Sequence, residues 1–250
     1  MSSMFFTDIP NYKLYTKTCD IWLCQLTQLQ DRESDFFSQF SDEEKARVER
    51  FKFAIHRSRF IASHGFVRTI LANYLKIEAD AIEFKKGEQG KPYLAVTNSS
   101  DNHNLQFNLS HTEDVALLAI TQGVEIGIDI ECSERKTNWK GIVQRFFTES
   151  EQKVLFALSE EQQKAAFFEL WTRKEAYMKV LGTGLSLAPT KFSLTVPPEK
   201  PALIKHDSTK YPALEQVEFK TIEMPQSFNN YCASLAVATT TLSCRFYLFS

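Results

Sequence analysis

The sequence predicts an α+β chain built from two similar halves, residues 1–122 and 123–250, and three observations lead there. Strand-like alternation and helix-like periodicity occur in one order twice. A capped helix start, Phe40-Ser41-Asp42, returns as Phe147-Thr148-Glu149, and 147 minus 40 sets an offset of 107. That offset also lays Ile21-Trp22-Leu23-Cys24 on Ile128-Asp129-Ile130-Glu131, Arg68 on Glu175 and Leu71 on Met178, without a gap. Several elements repeated in constant register mark a duplicated domain.

The first half opens with "IWLCQL" (21–26), whose alternation predicts a strand. "SDEEKARVERFKF" (41–53) starts a helix with Ser41 as N-cap and acids in the first turn. "SRFIASHGFVRTILANYL" (58–75) spaces its apolar residues at helical period. "KPYLAV", "LQFNLS" and "VALLAIT" read as short strands, separated by "GEQG" and the polar loop "TNSSDNHN". In the second half "IGIDIE" (126–131) is a strand. "FTESEQKVLFAL" is a helix with Thr148 as N-cap and Glu151 closing a capping box. "KAAFFELWTRKEAYMKVLG" (164–182) is a longer helix ended by Gly182. "KFSLTV", "VEFKTIEM", "CASLAVAT" and "CRFYLF" follow as strands.

The 250 residues are 43% hydrophobic, enough for a packed core, and 21 Phe supply much of its bulk. A formal net charge of -2 gives no basic excess for general nucleic-acid binding, so any phosphate-binding patch must be local. The N-terminal stretch lacks the apolar run of a signal peptide, and no run is long enough to span a membrane. Five cysteines without metal-site spacing fit reduced thiols in a cytoplasm.

"IGIDIE" puts Asp129 and Glu131 two apart, on one face of a strand, where like charges repel. On the long helix Trp171, Glu175 and Lys179 share a face at i, i+4 and i+8. Alone, the strand would serve as an exposed polar face and Glu175–Lys179 as a surface ion pair. Together, three carboxylates and a lysine suit a hard divalent cation such as Mg²⁺ with substrate phosphates, and the cation would relieve the repulsion. Lys179 would neutralise a phosphate oxygen. Candidate phosphate donors are Ser110 and His111 in "FNLSHT", Lys91 followed by Pro92 in "GKPYL", and the basic run Lys45, Arg47, Arg50, Arg57 and Arg59. His111 would equally serve a structural role, and the basic run a solvated helix face.

"GKPYL", "FNLSHT", "IGIDIE", "RFFTESE" and "WTRKEAYMKVLGTGLSL" stand in the order seen in the 4′-phosphopantetheinyl transferases, and the two-half length resembles the Sfp type. The resemblance runs from about Phe40 to Phe192. It implies two halves related by a pseudo-two-fold axis, each a small antiparallel sheet packed on a long helix. Coenzyme A would lie in a cleft between them with Mg²⁺. The implied reaction moves phosphopantetheine to a serine of an apo acyl or peptidyl carrier protein and releases adenosine 3′,5′-bisphosphate. By motif position Asp129, Glu131 and Glu175 resemble the metal ligands, Lys179 the phosphate-neutralising lysine, and Arg47, Lys91, Pro92, Ser110 and His111 coenzyme contacts. Glu175 and Glu151 are both candidates for the base that takes the serine proton. Glu44 departs from the pattern, standing where some members carry a basic residue. Lys153, Lys164 and Arg173 are candidates to meet an acidic carrier surface. A duplicated chain needs no second subunit to build its site, so the expectation is a cytoplasmic monomer that binds neither nucleic acid nor membrane. The competing expectations are a catalytically silent carrier-binding relative and another Mg²⁺-dependent phosphoryl-transfer enzyme.

Overall fold

The computed structural model describes residues 12–95 and 104–250. In chain order the first part holds strand β1 (Thr18–Gln25), helices α1 (Glu33–Ser38), α2 (Asp42–Glu49) and α3 (Ala54–Leu75), and strands β2 (Phe84–Lys86), β3 (Pro92–Leu94), β4 (Leu105–Thr112) and β5 (Val115–Gln122). Then come β6 (Ile126–Cys132), helices α4 (Trp139–Phe146), α5 (Glu149–Ala157) and α6 (Glu160–Val180), and strands β7 (Phe192–Leu194), β8 (Leu203–His206), β9 (Glu218–Ile222), β10 (Tyr231–Val237) and β11 (Ser243–Phe249). Among the described residues no helix is long and apolar enough to cross a membrane.

Two compact units divide these residues. The N-terminal unit holds 12–85, Tyr93–Gly123 and Ser243–Ser250; the C-terminal unit holds Lys86–Pro92 and Val124–Leu242. This corrects the expected halves 1–122 and 123–250 in two places. The last strand, β11, pairs in register with β1 and so joins the N-terminal unit. The hairpin tip around Lys91 belongs to the C-terminal unit, where the Lys91 ammonium donates to the Glu125 carboxylate (2.8 Å) and the Ile126 carbonyl (3.1 Å).

The units repeat one topology. The sheet order is β11-β1-β5-β4 in the first and β6-β10-β9 in the second, so β1-β5-β4 and β6-β10-β9 are the same antiparallel arrangement. β11 is an addition parallel to β1, which makes the N-terminal sheet mixed where an antiparallel one was expected. β5, flanked on both sides, is the near-continuous apolar run that a central strand requires, and seven of its eight residues are buried.

Each sheet shares a core with its long helix. In the N-terminal unit Phe66, Ile70, Leu71 and Tyr74 of α3 pack with Trp22, Leu118 and Ile120 of the sheet. In the C-terminal unit Phe167, Leu170 and Met178 of α6 pack with Phe147, Leu155 and Phe192. Thr148–Glu151 forms the expected capping box, and the expected N-cap Ser41 proves to close one too, with Glu44. Gly182 adopts φ +68° just past the end of α6, the left-handed conformation that closes a helix. α1 and α4 had no clear expectation, since each is a single short amphipathic stretch. Of "KPYLAV" only Pro92–Leu94 is strand, and residue 96 lies outside the described residues, as does most of the loop 97–104.

Candidate functional site

The site in the C-terminal unit starts from one glycine. A Cβ at Gly127 would meet the Ala176 carbonyl oxygen at 2.1 Å and the Val180 nitrogen at 2.5 Å, so only glycine lets β6 lie directly on the α6 backbone. Strand alternation puts Asp129 and Glu131 on that same helix-facing side. Ile126, Ile128 and Ile130 are buried on the opposite face. A second tie, between the hydroxyls of Thr172 on α6 and Ser234 on β10 (2.9 Å), sits across from Asp129 in the ladder.

The helix face brought onto the strand carries the expected residues. The Lys179 ammonium donates to Asp129 Oδ1 (2.7 Å) and to the Ile128 carbonyl (3.0 Å). Arg135 pairs with Glu131 Oε2 at 3.2 Å. Burial, then the charge of Asp129 and more weakly that of Glu131, push Glu175 up to about 7 against the opposing pull of Lys179. The structure therefore brings Asp129, Glu131, Glu175 and Lys179 into one electrostatic cluster.

Three carboxylates on two elements are the donor chemistry that Mg²⁺ takes, and burial together with the neighbouring Asp129 charge disfavours the charged form of Glu175. Among the described residues no three His, Cys, Asp or Glu side chains converge tightly enough to hold an ion as they stand. Ligation calls for side-chain rotation rather than a preformed cage, as suits an ion that keeps several of its waters.

Glu151 is placed differently from the sequence expectation of a catalytic acid or base. It is 1% exposed, and both carboxylate oxygens are engaged. Oε2 accepts from the Thr148 amide (2.8 Å) and hydroxyl (3.0 Å), while Oε1 accepts from Lys174 Nζ (2.8 Å) and the Leu194 amide (2.9 Å). That is a cap and a counterion inside the core.

The other expected residues scatter. Lys91 lies in the C-terminal unit near the start of β6, and exposed Pro92 opens β3. Ser110 and His111 are successive residues near the end of β4, so they point to opposite faces; Ser110 is buried and His111 exposed. Arg47 is exposed at the end of α2 with its guanidinium 4.9 Å over the Phe60 ring. Arg59 reaches Glu113 at 3.5 Å. Glu44 turns inward to Arg68 (2.5 Å) and His64 (2.9 Å), which explains its departure from a basic residue at that position. Arg173, expected on a carrier-facing surface, is buried and donates to Glu169 (2.5 Å) and the Thr195 carbonyl (2.9 Å). Lys153 and Lys164 are exposed.

Sequence reasoning passed over Lys174. It falls in the stripe Phe167, Leu170, Lys174, Met178 at spacings of three and four, and a lysine inside an apolar helix stripe signals a buried, paired cation.

A strand and a helix here bring carboxylates and a lysine together as a candidate site. Comparison with known proteins gives the chain its family. Residues 125–236 match the 4′-phosphopantetheinyl transferase superfamily and residues 22–123 the 4′-phosphopantetheinyl transferase N-terminal domain. The chain is 36% identical to 4′-phosphopantetheinyl transferase HetI of Nostoc sp., over 78% of this chain and 81% of the relative. It is 31% identical to 4′-phosphopantetheinyl transferase psf-1 of Bacillus pumilus, over 70% and 72%. To the mouse L-aminoadipate-semialdehyde dehydrogenase-phosphopantetheinyl transferase it is 32% identical, over 62% of this chain and 52% of that protein. This chain belongs to the 4′-phosphopantetheinyl transferase superfamily.

Proposed function

We propose that this chain transfers the 4′-phosphopantetheine arm of coenzyme A to a serine of an apo acyl or peptidyl carrier protein and releases adenosine 3′,5′-bisphosphate. The observation that carries the assignment of the chemistry is Glu175, held near 7 beside Asp129 and Lys179. By that placement on α6, beside Asp129 and Lys179, we assign Glu175 the serine proton. The serine oxygen then forms a bond to the β-phosphorus as the bond to the adenosine-side phosphate oxygen breaks. Lys179 sits where it would offset charge on the phosphates. Held by Asp129, Glu175 and Glu131, Mg²⁺ would supply further neutralisation of the pyrophosphate. We assign coenzyme contacts to Arg47, Lys91, Pro92, Ser110 and His111 on the strength of the motifs that contain them.

Such a transfer depends on positioning and charge stabilisation more than on covalent chemistry, which a rigid strand–helix contact provides. We assign the work to a cytoplasmic monomer, and the lack of a disulfide among the five cysteines fits a reducing compartment. The test is the intact mass of an apo carrier domain incubated with the protein, coenzyme A and Mg²⁺, beside a chelated control. A metal-dependent gain of one phosphopantetheine on one serine supports the proposal. No gain on either fatty-acid or peptide-synthetase carriers contradicts it, and turnover of nucleotides without a carrier would replace it with another phosphoryl-transfer reaction.

A further inference from the structure

A buried lysine beside Glu175 is the feature that the chemistry above does not use. Lys174 is fully buried, and its ammonium makes three hydrogen bonds, to Glu151 Oε1 (2.8 Å) and to the carbonyls of Pro189 (2.9 Å) and Phe192 (2.9 Å). Burial pulls the Lys174 pKa down and Glu151 opposes that pull. Burying two charges costs several kcal/mol per ion, and apolar residues of the same volume often hold a core as well or better. Stability is therefore a poor reason for the pair.

The N-terminal unit contains the same device. Glu44, 107 residues before Glu151, closes a capping box and accepts from the buried Arg68 (2.5 Å). Arg68 also donates to two carbonyls just beyond its helix, Ala79 (2.7 Å) and Ile82 (3.0 Å). In each unit the cap glutamate thus ties the long helix, through one cation, to the chain that follows it. Counted from the helix ends the two clamps coincide, since Arg68 and Lys174 each stand eight residues before the left-handed residues, Lys76 and Gly182, that close α3 and α6. The next position is Thr69 in one unit and Glu175 in the other, turned about 100° away from the clamp and, in the second, toward Asp129.

We propose that Glu151 and Lys174 are positioning residues that fix the rotation of α6 and so aim Glu175 and Lys179 at β6. This rests on the reading of Glu175 and Lys179 given above. A misplacement of about 1 Å at reacting groups can cost about a hundredfold in rate, so a rigid clamp next to the base has a direct effect on turnover.

The test is the double variant Glu151→Gln with Lys174→Met, which removes both charges and leaves neither ion unpaired. Thermal unfolding without metal checks the fold, and hydrogen exchange of amides 174–179 reads the helix itself. The expected result is a folded protein with faster exchange at those amides. Its kcat falls about ten- to a hundredfold, with coenzyme KM within about twofold and the low-pH limb of the kcat profile retained. Wild-type kcat in the folded double variant would overturn the proposal, as would loss of the low-pH limb, which would make Glu151 the proton acceptor. If the double variant does not fold, Glu151→Asp decides, since it keeps both charges and shortens the reach by one methylene. Lower kcat with the limb retained supports the clamp, and wild-type kcat refutes it. Failure of the functional reading itself would appear separately, as an inactive wild-type protein.

Discussion

Trp22 of β1 and Asp129 of β6 hold equivalent places, and the surroundings of the two could hardly differ more. Trp22 stacks on Tyr12 (5.7 Å between centroids) and Tyr247 (4.7 Å), and its indole donates to the Tyr74 hydroxyl at 3.2 Å. Asp129 instead accepts from Lys179 and shares its surroundings with Glu175 and Glu131. Both units keep the antiparallel three-strand topology, the capping box and the glutamate–cation clamp. The topology repeats, while among the described residues the carboxylate cluster stands in the C-terminal unit alone. In one unit that place is filled by rings, which gain from burial. In the other it is filled by charges, which lose from burial unless they are paired, as Asp129 is with Lys179.

The comparison can be broken at several points. Glu175→Gln should lower kcat by about 10²–10⁴ while coenzyme KM stays nearly constant, because it removes a group that acts on the proton in flight. Single-turnover mass spectrometry reads this, and a variant near wild-type rate would return the base to an unassigned residue. Lys179→Met should cost roughly a hundredfold in transfer rate. The equivalent change in the other unit has no such target, so its effect should be confined to stability.

Gly127→Ala tests whether the close approach of β6 to α6 builds the site. A methyl group there collides with backbone, which has no flexible end to move, so both the melting temperature and the transfer rate should fall. In the N-terminal unit, Glu44→Gln should destabilise the fold by roughly 3 kcal/mol in urea unfolding, because it leaves the buried Arg68 without its counterion. Burial alone would raise the Glu44 pKa, but hydrogen bonds from His64, Arg68 and the Ser41 amide, with the Arg68 charge, lower it to about 2. A depressed carboxyl stabilises the folded state above its ordinary value near 4.5, and that share is lost as pH falls from there toward 2. The acid-unfolding curve of Glu44→Gln should therefore be flatter over this window. The smallest effects belong to the caps: Ser41→Ala and Thr148→Ala should each cost about 1 kcal/mol.

Much of this was legible in the sequence because it lies in local patterns. Ser41 announced its N-cap and Thr148 its capping box, "IGIDIE" its two-faced strand, and the repeated order of elements its duplication. What stayed hidden depends on long-range pairing. Nothing within "CRFYLF" tells that β11 crosses to lie parallel with β1, since either unit offers a sheet edge to such a strand. Glu151 looked catalytic because its motif does not show Lys174, 23 residues away, closing over it. Arg173 looked exposed because neighbouring charged residues on a helix differ by about 100° in direction, and the turn that buries it became clear only with Thr195 in place. Ser110 and His111 stand side by side in the sequence as candidate donors, yet β4 runs through both and splits them between two faces.

The most direct test of the assignment of chemistry to the C-terminal unit is the rate of holo-carrier formation by Asp129→Ala, measured by intact mass with coenzyme A and Mg²⁺ at saturating concentrations. The expected result is a folded protein whose rate is lower by about a hundredfold or more, since Asp129 pairs with Lys179 and in the proposed reaction would supply a ligand to the cation. Transfer at the wild-type rate would contradict it and put the site elsewhere.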